Sequence, residues 1–433
     1  MITVGLDAGT TTISGVVYDH ATRSVLKART LPNKGQINTA PSWQNLQNPA
    51  IIWDTCKSLL EGFLEEHPQI AGIGLTGQMH GIVYVDENGQ AISPLATWQD
   101  GRGDEPYQNG NTYVDHLIKK SDHHMATGFG LTTYFYDLQN GIVPDGAASV
   151  CTIADYIGMR LTGRKRPLLH ASNAHSLGMF DLAQMQFNQE AINKAGIDPG
   201  ILPEVAKGEN VIGETAGGIP VWTAIGDNQA SFLGAAGNDY DVVANIGTSS
   251  QLSVRSKSLV TAEGLDIRPH VNGEYLLVGA GLCGGSAYTL LHGLLQEVLE
   301  MYGLDGGDKL YEKMEQAAGR VKDGENLLEI DTRFRGTRIK PEIRGTITRI
   351  GIDNFSVGHL ALGVMRGIVD ELYGFYLQVP ENLRITEVMV GGGNALRHNA
   401  TLRALLAVRF GMDLVLSPHN EEGAVGASML AYP

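Results

Sequence analysis

The chain has 433 residues, 55 of them glycine, with Asp+Glu at 47 against Lys+Arg at 32 and a net charge of −15. At 43% hydrophobic and 18% charged residues, it is not a disordered chain, which would carry few apolar residues and dense charge. The glycines lack a three-residue period, which excludes collagen. The acidic balance argues against a broad basic face for nucleic acid, and the length suggests two domains at roughly 100–200 residues each.

In chain order, ITVGLDAG predicts a strand ending in a glycine turn, and TTISGVVYD predicts a second strand returning from it. Pro49 to Glu66 predicts a helix with Ile52, Cys56, Leu60, Phe63 and Leu64 along one face. IAGIGLTGQ and GIVYVDENGQAI read as strands, the latter turning at Asn88-Gly89. VWTAIG reads as a strand that delivers Asp227 to a turn, followed by a helix of small residues. GAAGND, from Gly234 to Asp239, marks a domain boundary, dividing the chain into 1–236 and 237–433. DVVANIGTSSQLSVRS then repeats the first strand–turn–strand unit, with Gly247-Thr248 in the place of Gly9-Thr10. That recurrence points to two duplicated α/β halves.

Tyr275 to Gln296 holds no charged residue but is broken by Gly284-Gly285-Ser286, so it reads as a strand, a turn and a helix rather than a membrane span. EVMVGGG predicts a strand and Asn399 to Phe410 a helix. The N-terminus lacks the basic start and apolar core of a signal peptide. Cys56, Cys151 and Cys283 are scattered and odd in number, which gives no disulfide or zinc framework and suits a cytoplasmic protein.

A strand that enters a glycine turn offers backbone N–H groups to phosphate oxygens. Gly9 with the hydroxyls of Thr10, Thr11 and Thr12 is one such turn. Gly247-Thr248-Ser249-Ser250 is a second and Gly391-Gly392-Gly393-Asn394 a third. Each is otherwise a tight turn and no more. Asp7 would repel phosphate directly, so its place is at Mg²⁺ or its water shell. GxxxxGK[ST] is absent, and Gly279-x-Gly281-x-x-Gly284 matches a dinucleotide pattern formally, though close strand–helix packing explains it better.

Asp227 is a candidate base for a hydroxyl nucleophile, or a helix N-cap. Asn228 and Gln229 are candidates for sugar hydroxyls. Gln78, Met79 and His80, framed by Gly77 and Gly81, form a candidate ligand loop. Asp100 and Arg102 either orient polyol hydroxyls or close a salt-bridged turn. Asp122-His123-His124 resembles a metal cluster, but adjacent histidines on a helix point apart, so a solvated face is expected.

These residues, in this order, resemble the FGGY carbohydrate kinase family, of the actin-like (ribonuclease H-like) ATPase fold. LDAGTTT resembles its first phosphate motif, NIGTSSQL its second and VGGGNALRHN its adenosine motif. TGQMHG and WQDGR are similar to ketose kinases of the xylulokinase type. VCTIADYIGMRLTG with RPLLHASNAHSLGMF, IGDNQASFLGA and RPHVNGEYLLVGAGLCGGS are most similar to the sedoheptulokinase subgroup. The resemblance implies two α/β domains around a central cleft, the first for sugar and the second for nucleotide. It implies Asp227 as the base, Asp7 at Mg²⁺ and Gln78, Met79 and His80 at the sugar. Gly247 and Thr248 then lie at the β-phosphate, and Gly392 and Gly393 at the adenosine.

The implied reaction moves the γ-phosphoryl of ATP to a primary hydroxyl of a ketose, foremost sedoheptulose, with a pentulose such as xylulose as the alternative. The implied partners are the ketose and ATP, with neither nucleic acid nor membrane, and a homodimer as a candidate assembly. A non-catalytic sensor and an actin-like or chaperone ATPase are the other classes on this fold. The sequence departs from the family at Arg349, where glycine is expected, and at Arg366, where an acidic residue is expected. The segment TTYFYDLQNG lacks the family's lysines, and the chain ends without the usual further tail. Arg349 is therefore expected either to touch nucleotide or to narrow its pocket.

Overall fold

The computed structural model of the chain describes residues 1–307, 309–322, 326–337 and 340–432. Strand β1 (Ile2–Ala8) runs antiparallel to β2 (Thr12–Asp19), which pairs with β3 (Ser24–Pro32). Helix α1 (Pro49–Glu66) starts where Pro49 follows Asn48, whose side chain accepts the Ala50 N–H. It buries Ile52, Cys56, Leu59, Leu60 and Phe63, each large side chain contributing about 1.5–3 kcal/mol. The chain then returns as β4 (Ile70–Gly77), parallel to β1. Helices α2 (Ile153–Thr162) and α3 (Ala171–Leu177) follow, and β5 (Val211–Glu214), β6 (Pro220–Trp222) and β7 (Ile225–Gly226) complete the sheet. Its order is β5-β6-β4-β1-β2-β3, with β7 also on β4. The strand expected over VWTAIG is thus two pieces. Between them the Thr223 N–H donates to Asn210 O, and Ala224 O accepts the Asn173 side chain, so both leave the ladder. Helix α4 (Asp227–Ala236) follows at once.

The second sheet repeats this plan. Strand β8 (Val242–Ile246) forms a hairpin with β9 (Ser250–Ser256), and β10 (Asp266–Pro269) and β11 (Tyr275–Gly281) extend it. Helices α5 (Gly285–Glu300), α6 (Lys309–Ala318) and α7 (Val357–Gln378) lead to β12 (Val388–Gly392), parallel to β8. Helix α8 (Ala400–Phe410) and β13 (Asp413–Leu416) close the order β10-β11-β9-β8-β12-β13. Each sheet therefore has a hairpin whose first strand carries a parallel neighbour on its other side. The charge-free stretch from Tyr275 forms β11 and much of α5, and among the described residues no helix is long and apolar enough to cross a membrane.

The chain divides into two compact units. One holds Met1–Gly237, Arg268–Tyr275 and Glu421–Pro433, and the other holds Asn238–Ile267 and Leu276–Asn420. A linear split at residue 236 does not contain the two returns to the first unit. The second return is helix α9 (Glu422–Leu430), which packs backbone to backbone on the first sheet and on α4. A Cβ on Gly5 would lie 1.9 Å from Ala424 O, one on Gly74 1.7 Å from Ala427 O, and one on Gly426 1.9 Å from Ala230 O. These glycines serve this contact, since only glycine admits such approach.

Candidate active site

Register places the first group of candidate residues. Ala8 of β1 pairs with Gly77 of β4, and Gly77 pairs with Gly226 of β7, all in parallel. Three strands thus end at one level, and their next residues are Gly9-Thr10, Gln78-Met79-His80 and Asp227-Asn228. Ligands in open α/β sheets bind beyond such carboxyl ends. Glycine makes the fit close: a Cβ on Gly226 would meet Met79 Sδ at 2.6 Å, and one on Gly77 would meet Ala8 O at 2.8 Å.

Asp227 is the first residue of α4, and its N-cap is Gly226. The N-cap alternative for Asp227 is corrected accordingly. Its carboxylate sits at the positive end of the helix, which favours the charged form. Burial prevails over the Asn228 N–H and the Arg268 charge and pushes the carboxyl up to about 6. Asp7 is raised further, to about 7, by burial first and then by the charges of Asp227 and Glu421. Its Oδ1 is buried with no hydrogen-bond partner among the described residues, and Gly423 leaves just enough room beside Oδ2. A buried carboxylate oxygen without a donor, facing further negative charge, is the arrangement a divalent cation relieves.

The loop after β4 is held by a polar chain that sequence reasoning missed. Gln78 Nε2 donates to Gln47 Oε1 at 2.9 Å, and Gln47 Nε2 donates to Thr10 O at 2.9 Å. The indole of Trp98 donates to Thr10 Oγ1 at 3.0 Å, and that hydroxyl donates to Gln78 Oε1 at 3.4 Å. Thr10's hydroxyl proton is therefore directed at Gln78, a correction to its expected place facing phosphate. Thr11 and Thr12 are exposed. Gln47 lies well away from TGQMHG in sequence, and no local pattern marks it. His80 sits at φ +71°, a strained left-handed backbone for a non-glycine residue. Its N–H donates to Ser176 Oγ at 3.1 Å, its Nδ1 lies 2.8 Å from Ser176 O, and its ring stacks on Phe129. The carbonyl can only accept, so Nδ1 carries the proton.

Asp100 and Arg102 are corrected from substrate contacts to a salt-bridged turn. Asp100 is 0% exposed. Its Oδ1 accepts from Arg102 Nε at 2.7 Å, its Oδ2 from the Asn45 N–H at 3.1 Å, and Arg102 Nη1 reaches Asp137 Oδ1 at 2.5 Å. Tyr84 donates to the other Asp137 oxygen at 2.7 Å. These bonds and the burial of both side chains hold the turn that carries Trp98. Asp122 caps the helix ending at Ser121 in the left-handed conformation, so His123 and His124 follow the helix rather than lie on it. No group of three or more ligating side chains that could hold a metal occurs among the described residues.

Two further features lie behind Asp227. Asp155, buried on α2, accepts from Thr152 Oγ1 at 2.6 Å and from Asn173 Nδ2, which also reaches Ala224 O. Burial outweighs these donors and pushes Asp155 up to about 7. Gln229 is buried and donates to Pro269 O at 2.9 Å, while Arg268 donates to Asn228 Oδ1 at 3.4 Å. Both partners come from the segment RPHVNGEY, whose pattern is visible in the sequence although its contacts are not.

In the second unit, Asn245 of β8 pairs with Gly392 of β12, so Gly247-Thr248 and Gly393-Asn394 follow at the same sheet edge. Gly393 needs its φ of +85°, and a Cβ there would meet Ile246 O at 2.4 Å. Gly247, Thr248 and Asn394 line a cavity of about 1000 Å³. Ala395, Met365, Ile368 and Leu402 form an apolar wall, and Tyr288, Tyr311, Glu312, Glu315, Arg335 and Asn399 are also among the lining. Ser286 Oγ and Tyr288 OH are buried there without partners among the described residues. An apolar slot with a few polar groups is how small-molecule sites are built. Gly392 is buried beneath this edge. Gly279, Gly281 and Gly284 are packing glycines: Cβ atoms there would meet Phe375 at 2.3 Å, Ser250 Oγ at 2.6 Å and Ser249 O at 2.3 Å. Arg349 is not among the residues that line this cavity. It pairs with Glu329 at 3.1 Å and lines a separate cavity of about 580 Å³ with Gly363, Arg366 and Gly367, whereas Met365 and Ile368 of the same helix line the larger one.

Comparison with known proteins agrees with this geometry. The N-terminal domain of the FGGY family of carbohydrate kinases matches residues 2–234, and the C-terminal domain of that family matches 242–432. The chain is 30% identical to sedoheptulokinase of Mus musculus, over 99% of this chain and 97% of that one. Among solved structures, xylulose kinase of Rhodospirillum rubrum superposes with a TM-score of 0.84 at 22% identity, over 100% of this chain and 90% of that one. Glycerol kinase of Plasmodium falciparum, solved with ADP, superposes at 0.81 and 18% identity, over 99% and 88%. These superpositions give the fold, that of the actin-like ATPases. With both family domains matched along nearly its whole length, the chain belongs to the FGGY family of carbohydrate kinases.

Proposed function

We propose that this carbohydrate kinase transfers the γ-phosphoryl of ATP to a primary hydroxyl of a ketose, and that sedoheptulose, giving sedoheptulose 7-phosphate, is the preferred acceptor. The observation that carries the reading is the common end of β1, β4 and β7, where Asp7, the Gln78–His80 loop and Asp227 share one edge. The 30% identical sedoheptulokinase supports the choice of ketose.

In this reading the sugar lies against Gln78, Met79, His80 and Asn228, with its hydroxyl at Asp227. Asp227, ionised above about pH 6, accepts the hydroxyl proton as the oxygen forms its bond to the γ-phosphorus and the bond to the ADP oxygen breaks. Gly9 with Thr11 and Thr12, and Gly247 with Thr248, offer N–H and hydroxyl donors to the phosphates. Gly392, Gly393 and Asn394 border the purine. Asp7 would hold Mg²⁺, directly or through water; bound there, the ion would neutralise phosphate charge. The three cysteines, all free and buried, suit a reducing, cytoplasmic setting.

The test is a coupled assay with ATP and a panel of sedoheptulose, xylulose and ribulose, for the native chain and Asp227→Asn. Highest kcat/KM for sedoheptulose, with loss of at least about 100-fold in kcat in the variant and sugar binding retained, is expected. Near-normal turnover of Asp227→Asn removes the base assignment, and a preference for xylulose moves the substrate to the pentuloses. ATP hydrolysis indifferent to every sugar removes the kinase reading.

A further inference from the structure

A second polar chain runs behind the Asp227 turn. Glu209 Oε1 accepts the Asn272 N–H at 2.8 Å and lies 3.2 Å from His170 Nε2. On the far side of that ring, Nδ1 lies 2.8 Å from Ser172 Oγ and 3.2 Å from the Ser172 N–H. A backbone N–H can only donate, so Nδ1 is the acceptor and the ring proton sits on Nε2, aimed at Glu209. Ser172 Oγ in turn accepts the N–H of Gly226 at 2.9 Å. Gly226 immediately precedes Asp227.

Glu209 is tied to the other side of Asp227 as well. Asn272 belongs to the segment Arg268–Tyr275, whose Arg268 donates to Asn228 and whose Pro269 O accepts Gln229. One carboxylate oxygen thus anchors the strand end before Asp227 and the segment that holds the two residues after it. His170 is 2% exposed and the Glu209 side chain 18%. Burial would push the Glu209 carboxyl up, but the bonds from His170 and Asn272 outweigh it and hold it low.

We propose that Glu209 and His170 are positioning residues that orient the Asp227 carboxylate through Ser172 and Gly226. The inference rests on the reading of Asp227 as the base. It adds a chain of bonds that reaches the residue before the base through Ser172 of α3, the helix whose Ser176 also holds His80. It also explains why His170, in the segment HASNAHSLGMF, is a histidine: only a neutral ring accepts from Ser172 on one nitrogen while donating to Glu209 on the other.

The chain ends on a cavity of about 680 Å³ lined by His170, Lys207, Glu209, His270 and Gly273 among others. Small carboxylates can therefore reach the place of the Glu209 side chain, which makes rescue a test. In Glu209→Ala, kcat is expected to fall about 10-fold with KM for ATP unchanged, and formate is expected to restore much of it. Glu209→Gln keeps an acceptor oxygen for both bonds and is expected to stay within about threefold of the native kcat. In an Asp227→Asn background, Glu209→Ala is expected to lower the residual rate no further.

A folded Glu209→Ala of native kcat overturns the proposal. So does a loss that neither formate nor Glu209→Gln relieves, or a further drop in the Asp227→Asn background. Near-normal turnover of Asp227→Asn itself removes the base reading and this inference with it. An inactive Asp227→Asn beside a fully active Glu209→Ala removes this inference alone.

Discussion

Asp155 holds a proton that an aspartate in water would lose. Its pKa moves from 3.8 to about 7 because burial outweighs the donors from Thr152 and Asn173. The folded state therefore binds this proton more tightly than the unfolded chain does. Its contribution to stability is full below pH 4 and is lost as pH rises through about 7. Between pH 5 and 8 the native protein is expected to lose up to about 3 kcal/mol more than Asp155→Asn does, at roughly 1.4 kcal/mol per pH unit up to the folded pKa. Urea denaturation of both proteins at the two pH values measures this, and equal losses remove the assignment. His80 belongs to the same scale. Its ring is fixed by Ser176 and Phe129 while its backbone is strained. His80→Ala is expected to raise the sugar KM about 10-fold or more and leave that for ATP within about twofold. Equal rises in both would place His80 elsewhere.

At the scale of elements, the strand–turn units were legible because their signal is local. Alternating apolar residues and a glycine turn lie within a few positions, so β1–β2 and β8–β9 could be found, as could α1 from its apolar face. The seating of α9 could not. EGAVGASML and DNQASFLGAA are helices of small residues, and small residues give no apolar stripe, only close approach. Their partners are separated by nearly two hundred residues, and nothing in either segment names the other. The same reason hid Gln47 and Asp155, whose partners Gln78 and Asn173 lie on other elements, while Asp7, His80 and Asp227 stand at or close to the ends of apolar strands and were readable. Glycine replacement separates the two uses of the residue. Gly426→Ala puts a Cβ at 1.9 Å from Ala230 O and is expected to destabilise by about 3 kcal/mol or more, shifting α4 and lowering kcat with it. Gly293→Ala, in α5 with nothing within 4 Å of the new Cβ, is expected to be neutral or to stabilise by up to about 1 kcal/mol. Thermal melts of both variants check the contrast.

For the molecule as a whole, two similar sheets serve unlike chemistry. The first unit gathers carboxylates at a sheet edge; the second keeps an apolar slot beside its glycine turns. The first is also built from three separate stretches of chain, with α9 covering β1 and β4. A chain ending at Asn420 is expected to lose cooperative unfolding of the first unit, although residues 1–237 are all present. Native-like melting of that truncated chain would show that α9 is dispensable.

This discontinuity bears on synthesis. Domains generally complete themselves in the order in which they leave the ribosome. Here β1 and β4 emerge early and are covered on one face by α1 and α2, but the face that α9 covers stays open until residues up to Leu430 follow, after the second unit has been made. That glycine-lined face is then exposed for most of translation, a window in which a chaperone has something to hold. A premature stop anywhere before α9 leaves the earliest-made sheet without this cover, so loss of α9 is felt first in the strands that were made earliest.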